Sequence, residues 1–150
     1  MADTRSKEAR SKNMAAIHSK DTKPEVFLRS LLFKNGYRFR KYCKALPGHP
    51  DIWLKKYNTV IFVNGCFWHR HEGCKYAYIP KSRTDFWLKK FERNVNRDKL
   101  IHDELLKQNH KCLVIWECTL KKTGNREERI ITLLSSINDF LNSNEMYREM

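Results

Sequence analysis

No stretch of the 150-residue chain holds the roughly 20 consecutive apolar residues that a membrane-spanning helix needs. The opening run MADTRSKEARSKN has no apolar core of the kind a secretory signal carries. The expected compartment is therefore the cytoplasm, where thiols stay reduced. The five cysteines (Cys43, Cys66, Cys74, Cys112, Cys118) are an odd number. In that compartment they read as core residues or metal ligands rather than disulfides. Internal repeats and low-complexity linkers are missing too, so the expectation is one domain over residues 1–150. A chain of this length buries roughly 70% of its unfolded surface, enough for a core without staples.

Acidic residues are also in short supply. Seventeen Asp and Glu face thirty Lys and Arg, a formal net charge of +13. Such a chain repels itself unless a polyanion relieves it. Nucleic acid is the natural partner, because each cation placed on a phosphate releases condensed counterions. A membrane surface would favour basic residues gathered beside an apolar helical face; here they are spread along the chain.

Patterning gives a mixed α/β domain, a small sheet flanked by helices. Residues up to Lys20 are polar, basic and helix-compatible, with Met14 and Ile17 on one helical side; they read as an arm that orders on its partner. Thr22-Lys23-Pro24-Glu25 is a helix start, with Thr22 as cap and Glu25 completing a capping box. Val26, Leu28, Leu31 and Leu32 form its apolar stripe, and Gly36 stops it. Strands are expected over Tyr37–Tyr42, Asp51–Leu54, Thr59–Val63 and Cys112–Trp116. The third is apolar throughout, which suits a central strand. Between residues 64 and 83 runs an irregular segment dense in His, Cys, Gly and aromatics. A long amphipathic helix follows from Thr84 towards Gln108, with Trp87, Phe91, Val95 and Leu105 among its apolar positions, and Glu127–Leu141 is a last helix.

Within the irregular segment, Cys66, His71 and Cys74 are spaced to reach one tetrahedral ion. Cys118, at the end of a strand, can return as the fourth ligand; Cys112 is its rival by strand parity, and spacing alone does not choose between them. Thiolate and imidazole ligands suit Zn²⁺, and four of them close the site so that it is structural. A single cysteine in such a place is more often a small hydrophobe; the grouping is what favours zinc. Cys43 is expected to be simply buried.

A second constellation carries chemistry. Asp51 opens one strand of a hairpin, and the next strand delivers the chain to His69. A carboxylate there can hold Mg²⁺ against a phosphate, while a neutral imidazole deprotonates the attacking water. Glu25, at the start of the first long helix, is an outer-sphere candidate. Each residue also has a plain reading: a Pro-Asp turn, a helix cap, a zinc ligand.

The runs Leu46-Pro47-Gly48-His49-Pro50-Asp51 and Val63-Asn64-Gly65-Cys66-Phe67-Trp68-His69 closely resemble the very-short-patch mismatch endonucleases, the Vsr family. So do Arg10-Ser11-Lys12-Asn13-Met14, Arg83-Thr84-Asp85-Phe86-Trp87, Asn94-Val95 with Arg97-Asp98, and Val114-Ile115-Trp116-Glu117-Cys118. The likeness covers residues 1 to about 120 in order. It implies a restriction-endonuclease-like fold and an enzyme that nicks duplex DNA at a T·G mispair left by deamination of 5-methylcytosine. The cut falls on the thymine strand, on its 5′ side, and starts very-short-patch repair.

By the same resemblance, Asp51 and the main-chain carbonyl of Val63 bind Mg²⁺, Glu25 orders its water shell, and His69 acts on the water. Cys66, His71, Cys74 and Cys118 bind a structural zinc, which resolves the rivalry with Cys112. Phe67, Trp68 and Trp87 intercalate beside the mispair, where a wedge costs least because the pair is already weak. Their plain reading is core around the zinc. The helix bearing Met14 and Ile17 reaches the minor groove. Asn64, counted among the DNA contacts, stands where some members carry a histidine, so a second imidazole is not supplied. Glu72-Gly73 adds one residue to the zinc loop. Implied partners are the mispaired duplex, mismatch-repair proteins and an associated cytosine methyltransferase, met by a monomer at the bacterial nucleoid. Two rivals share these features: a non-catalytic zinc-stabilised DNA-binding module, and a nuclease acting on another nucleic-acid structure.

Overall fold

The computed structural model describes residues 20–150; Met14 and Ile17 lie outside the described residues. Strands β1 (Arg40–Lys41), β2 (Ile52–Leu54) and β3 (Thr59–Asn64) form an antiparallel meander. Strands β4 (Lys111–Trp116) and β5 (Tyr147–Glu149) extend it in parallel, giving the order β1-β2-β3-β4-β5. The helices are α1 (Lys23–Lys34), α2 (Thr84–Lys107), α3 (Glu117–Thr123) and α4 (Glu127–Leu141). A mixed sheet between helical layers is the restriction-endonuclease-like arrangement the resemblance implied.

Strands β3 and β4 are apolar at nearly every position because both faces of the sheet are covered. Ile61, Leu113 and Ile115 point into a core closed by Leu28 and Leu32 of α1 and by Leu133, Ile137 and Phe140 of α4. The alternate residues Val60, Cys112, Val114 and Trp116 point to the other face, against Leu105 of α2. Each fully buried Leu or Ile here contributes roughly 1.5–3 kcal/mol. Lys111 closes α4 by donating to the carbonyls of Phe140 at 2.5 Å and Ser143 at 2.9 Å, a cation at the negative helix end.

Helix α1 begins as its sequence dictates: Thr22 Oγ1 accepts from the Glu25 amide at 3.4 Å, and Pro24 occupies the first turn. Asn35 ends it, and Gly36 leaves with φ +88°. Its buried row is Glu25, Leu28, Leu31 and Leu32. Val26, expected in the stripe, is 47% exposed, because the row at three- and four-residue spacing runs through Glu25 instead.

Four further expectations need correction. Only Arg40 and Lys41 of the stretch 37–42 pair as a strand; Tyr37 and Phe39 pack on the core as loop residues. Cys118 lies in the first turn of α3, not at a strand end. Val95 is exposed: the inward row of α2 runs through Phe91, Asn94, Asp98, Ile101 and Leu105, and Val95 falls beside it. Phe91 and Leu105 are buried at its ends, and Asn94, Asp98 and Ile101 between them line a cleft. Cys43 is half-buried rather than buried.

Strand β5 was not legible beforehand. It is short and exposed, and its ladder is made by backbone: Met150 N–H donates to Val114 O, and Trp116 N–H to Met150 O, both at 2.9 Å. Among the described residues no helix is long and apolar enough to cross a membrane.

Candidate active site and metal cluster

The antiparallel ladder of β2 and β3 ends at Ile52 opposite Ile61. Asp51 sits one residue beyond that ladder, and its carboxylate substitutes for the missing strand partner: Oδ2 accepts from the Val63 N–H at 2.8 Å. The preceding turn is pinned by Gly48, which has φ +74° and lies so close to α2 that a Cβ there would meet Ile101 Cγ2 at 2.5 Å. Only glycine fits both demands. Burial pushes the Asp51 carboxyl up to about 7; the Val63 amide opposes this, the Glu25 charge adds to it, and His69 and Arg29 oppose it.

His69 ends a turn that starts at Gly65, whose carbonyl accepts from its amide at 3.1 Å. Its Nδ1 lies 2.5 Å from Asp98 Oδ2 on α2. A carboxylate only accepts, so Nδ1 carries a proton, and in the neutral ring the lone pair is on Nε2. Asp98, which the sequence motif contained without a role, thus joins the candidate site as the partner of His69. The signal was present: it is an acid in the inward row of an amphipathic helix.

Glu25 is only 3% exposed. The capping box is half made, because the carboxylate bypasses the Thr22 amide. Oε2 reaches one residue further back, accepting from the Asp21 N–H at 3.2 Å, and accepts from the Tyr42 hydroxyl at 2.6 Å. Asp51, Glu25, His69, Asp98 and the nearly buried Asn64 line one cleft of about 950 Å³. Two carboxylates lining one cleft, both largely desolvated, are a hard oxygen donor set that suits Mg²⁺. The residues present fit a divalent cation.

Cys66, His71, Cys74 and Cys118 bring their ligand atoms within 4.8 Å of one another. His71 Nδ1 is 3.4 Å from Cys118 Sγ and 3.7 Å from Cys66 Sγ. A tetrahedral ion with bonds of about 2.3 Å to sulfur and about 2.05 Å to nitrogen separates such atoms by about 3.6 Å, so this cluster could hold a zinc ion. Cys112 is fully buried outside it, and burial pushes its thiol up to about 12. The His71 ring stacks on Trp116 with centroids 4.3 Å apart, which fixes its plane. Gly73, in the loop that carries the extra residue, has φ +73° and open space around it.

The irregular segment is held by more than the cysteines. Arg70 donates to the carbonyls of Phe67, Ala77 and Tyr78 and lies 3.8 Å above the Phe91 ring. Phe67, Trp68 and Trp87 are half-buried in one aromatic cluster, with pairwise centroid distances of 5.0–5.9 Å. Phe91 is its buried base, 5.2 Å from Phe67, and Phe86 is its exposed rim. Asn94 ties the cluster to the cleft by donating to the Trp68 carbonyl at 3.1 Å, and Lys90 lies 5.2 Å from the Trp68 ring.

Comparison with known proteins points in one direction. The family described as "DNA mismatch endonuclease Vsr" matches residues 2–75. The DNA mismatch endonuclease Vsr of Escherichia coli K12 is 45% identical over 132 residues, 88% of this chain and 84% of that protein. Type II nicking enzyme V.NmeAIP of Neisseria meningitidis serogroup A is 48% identical over 93% of this chain and 99% of its own length. Type II nicking enzyme V.XorIIP of Xanthomonas oryzae pv. oryzae is 43% identical over 89% and 98%.

Proposed function

The chain belongs to the Vsr family of DNA mismatch endonucleases, and from that premise we propose that it nicks duplex DNA at a T·G mispair, 5′ of the thymine and on its strand. The mispair is the product of 5-methylcytosine deamination, and the nick starts very-short-patch repair. One cleft per chain cuts one strand, so a monomer of a single domain suffices. It works in the cytoplasm, on nucleoid DNA, beside a cytosine methyltransferase and mismatch-repair proteins.

The observation that carries this reading is the cleft that brings Asp51, Glu25 and the Asp98-held His69 together. Asp51 and the Val63 carbonyl would hold Mg²⁺, with Glu25 acting through water. Bound there, the ion supplies positive charge to the scissile phosphate. His69 Nε2 takes the proton of the attacking water, and Asp98 stabilises the imidazolium that results and keeps the ring aimed. Cys66, His71, Cys74 and Cys118 hold the structural zinc that shapes the segment from Gly65 onward. Phe67, Trp68 and Trp87 enter the opened mispair, Asn64 contacts the DNA beside the cut, and Met14 and Ile17 reach the minor groove. The +13 net charge supports the duplex partner.

Nicking of an end-labelled T·G duplex tests the assignment of the cleft. Asp51→Asn and His69→Ala should each abolish the Mg²⁺-dependent product while mispair binding persists. Normal turnover by Asp51→Asn would remove the catalytic reading and leave a zinc-stabilised DNA-binding module.

A further inference from the structure

The Tyr42 hydroxyl has one proton and two lone pairs, and all three are committed. It donates to Glu25 Oε2 at 2.6 Å and accepts from the Asp21 N–H at 2.6 Å and from Arg29 Nη1 at 3.2 Å. Its other potential acceptor, Asp21 Oδ1, is farther away at 3.3 Å. Arg29, whose side chain is 11% exposed, bridges the two acids: Nη2 meets Asp21 Oδ1 at 2.5 Å, and Nη1 meets Glu25 Oε2 at 3.4 Å. Asp21 and Tyr42 both reach these positions with left-handed backbone, φ 54° and 49°, a region that L side chains rarely adopt.

A helix cap requires none of this. A capping glutamate bonds the amide of its own cap residue, whereas the Glu25 carboxylate bypasses Thr22 and is held by the Asp21 amide together with a tyrosine and an arginine. Three donors (the Tyr42 hydroxyl, the Asp21 amide and Arg29) converge on Oε2, and no bond among the described residues uses Oε1. Glu25 lines the same cleft as Asp51. Arg29 offsets the second negative charge that Glu25 brings into that cleft.

We propose that Tyr42 and Arg29 are positioning residues that clamp Glu25 Oε2, leaving Oε1 to order the water shell of the divalent cation at Asp51. The clamp rests on the outer-sphere reading of Glu25, and a double-mutant cycle separates the two. The probe is Mn²⁺, titrated into the full-length protein and followed by water-proton relaxation. The Mg²⁺ concentration that half-saturates nicking is read beside it. Tyr42→Phe should raise both by about tenfold, the scale of one hydrogen bond to a charged group, with little change in kcat at saturating metal. In a Glu25→Gln background the same substitution should change neither. Arg29→Lys, which keeps the charge and loses the fork, should retain part of the metal affinity that Arg29→Gln loses.

An equal loss in both backgrounds, or no loss in either, overturns the clamp. If Glu25→Gln alone leaves Mn²⁺ binding and nicking as in wild type, the outer-sphere reading falls and the clamp with it, a result visible without any Tyr42 variant. Should Tyr42→Phe fail to fold, Arg29→Gln runs the same cycle with the same outcomes.

Discussion

At the scale of single residues, Asp51 is set apart by partial burial in the cleft. Burial pushes its carboxyl up to about 7 in the folded protein, from the ordinary 3.8 of the unfolded chain. Between those values the unfolded chain has released a proton that the folded protein keeps. Stability present at pH 4 is therefore lost as pH rises towards 7 in protein free of Mg²⁺. Asp51→Asn removes that loss. Melting curves of both proteins in Mg²⁺-free buffer should diverge from pH 4 to 7 in favour of the variant, and parallel curves would refute the buried carboxyl. Asp98 contacts His69, and on the proposed mechanism Asp98→Asn should lower kcat, by up to the roughly 10²–10⁴-fold that a general base contributes, with little effect on KM. A larger change in KM than in kcat would mean that it binds DNA instead.

At the scale of elements, the zinc loop and the aromatic cluster divide the work of an irregular segment. The four ligands come from that segment and from the first turn of α3, so an ion there would tie two parts of the chain separated by α2 and β4. Metal-binding free energy is then folding free energy. Cys66→Ala or Cys118→Ala should lower the melting temperature of the whole domain. Metal analysis of wild type should return about one zinc per chain, as a closed four-ligand site requires. A metal-free protein with unchanged melting would exclude the site.

Elements whose sequence carries one dominant signal were legible: the capped start of α1, the doubly covered β3 and the amphipathic α2. Elements made by backbone alone were not. Strand β5 is three residues of mixed polarity, and the strand expected over 37–42 shrank to the two residues that find partners. The candidate site was legible through the motifs that hold Asp51 and His69 and through the spacing of Cys66, His71 and Cys74; spacing left Cys118 and Cys112 as rivals, and the family resemblance pointed to Cys118, which the fold brings to the cluster. Asp98 carried a signal, an acid in the inward row of α2, without a partner to explain it; Tyr42 and Arg29 carried none, since their contacts exist only once the loop after β1 is folded against α1.

At the scale of the whole molecule, affinity and discrimination have different physical sources. Affinity follows from the excess of thirteen positive charges and should fall steeply with salt. Discrimination requires that something enter the opened pair. Phe67 and Trp68 rest in a half-buried cluster with Trp87, within reach of Lys90. Trp68→Ala should thus keep the salt slope on matched duplex yet lose preference for the mispair, together with the fluorescence change of a reporter base placed next to it. Full preference after the substitution would make the ring a core residue.

The central claim is that this cleft cuts DNA at a mispair. The most direct measurement sets three substrates side by side with the wild-type protein and Mg²⁺: a T·G duplex, its fully matched counterpart and an RNA duplex of the same sequence, each strand end-labelled separately. The account predicts one product, a nick 5′ of the mispaired thymine on the thymine strand, with matched DNA and RNA left whole. Cleavage of matched DNA or RNA as fast as the T·G duplex, or a cut on the guanine strand, would contradict it.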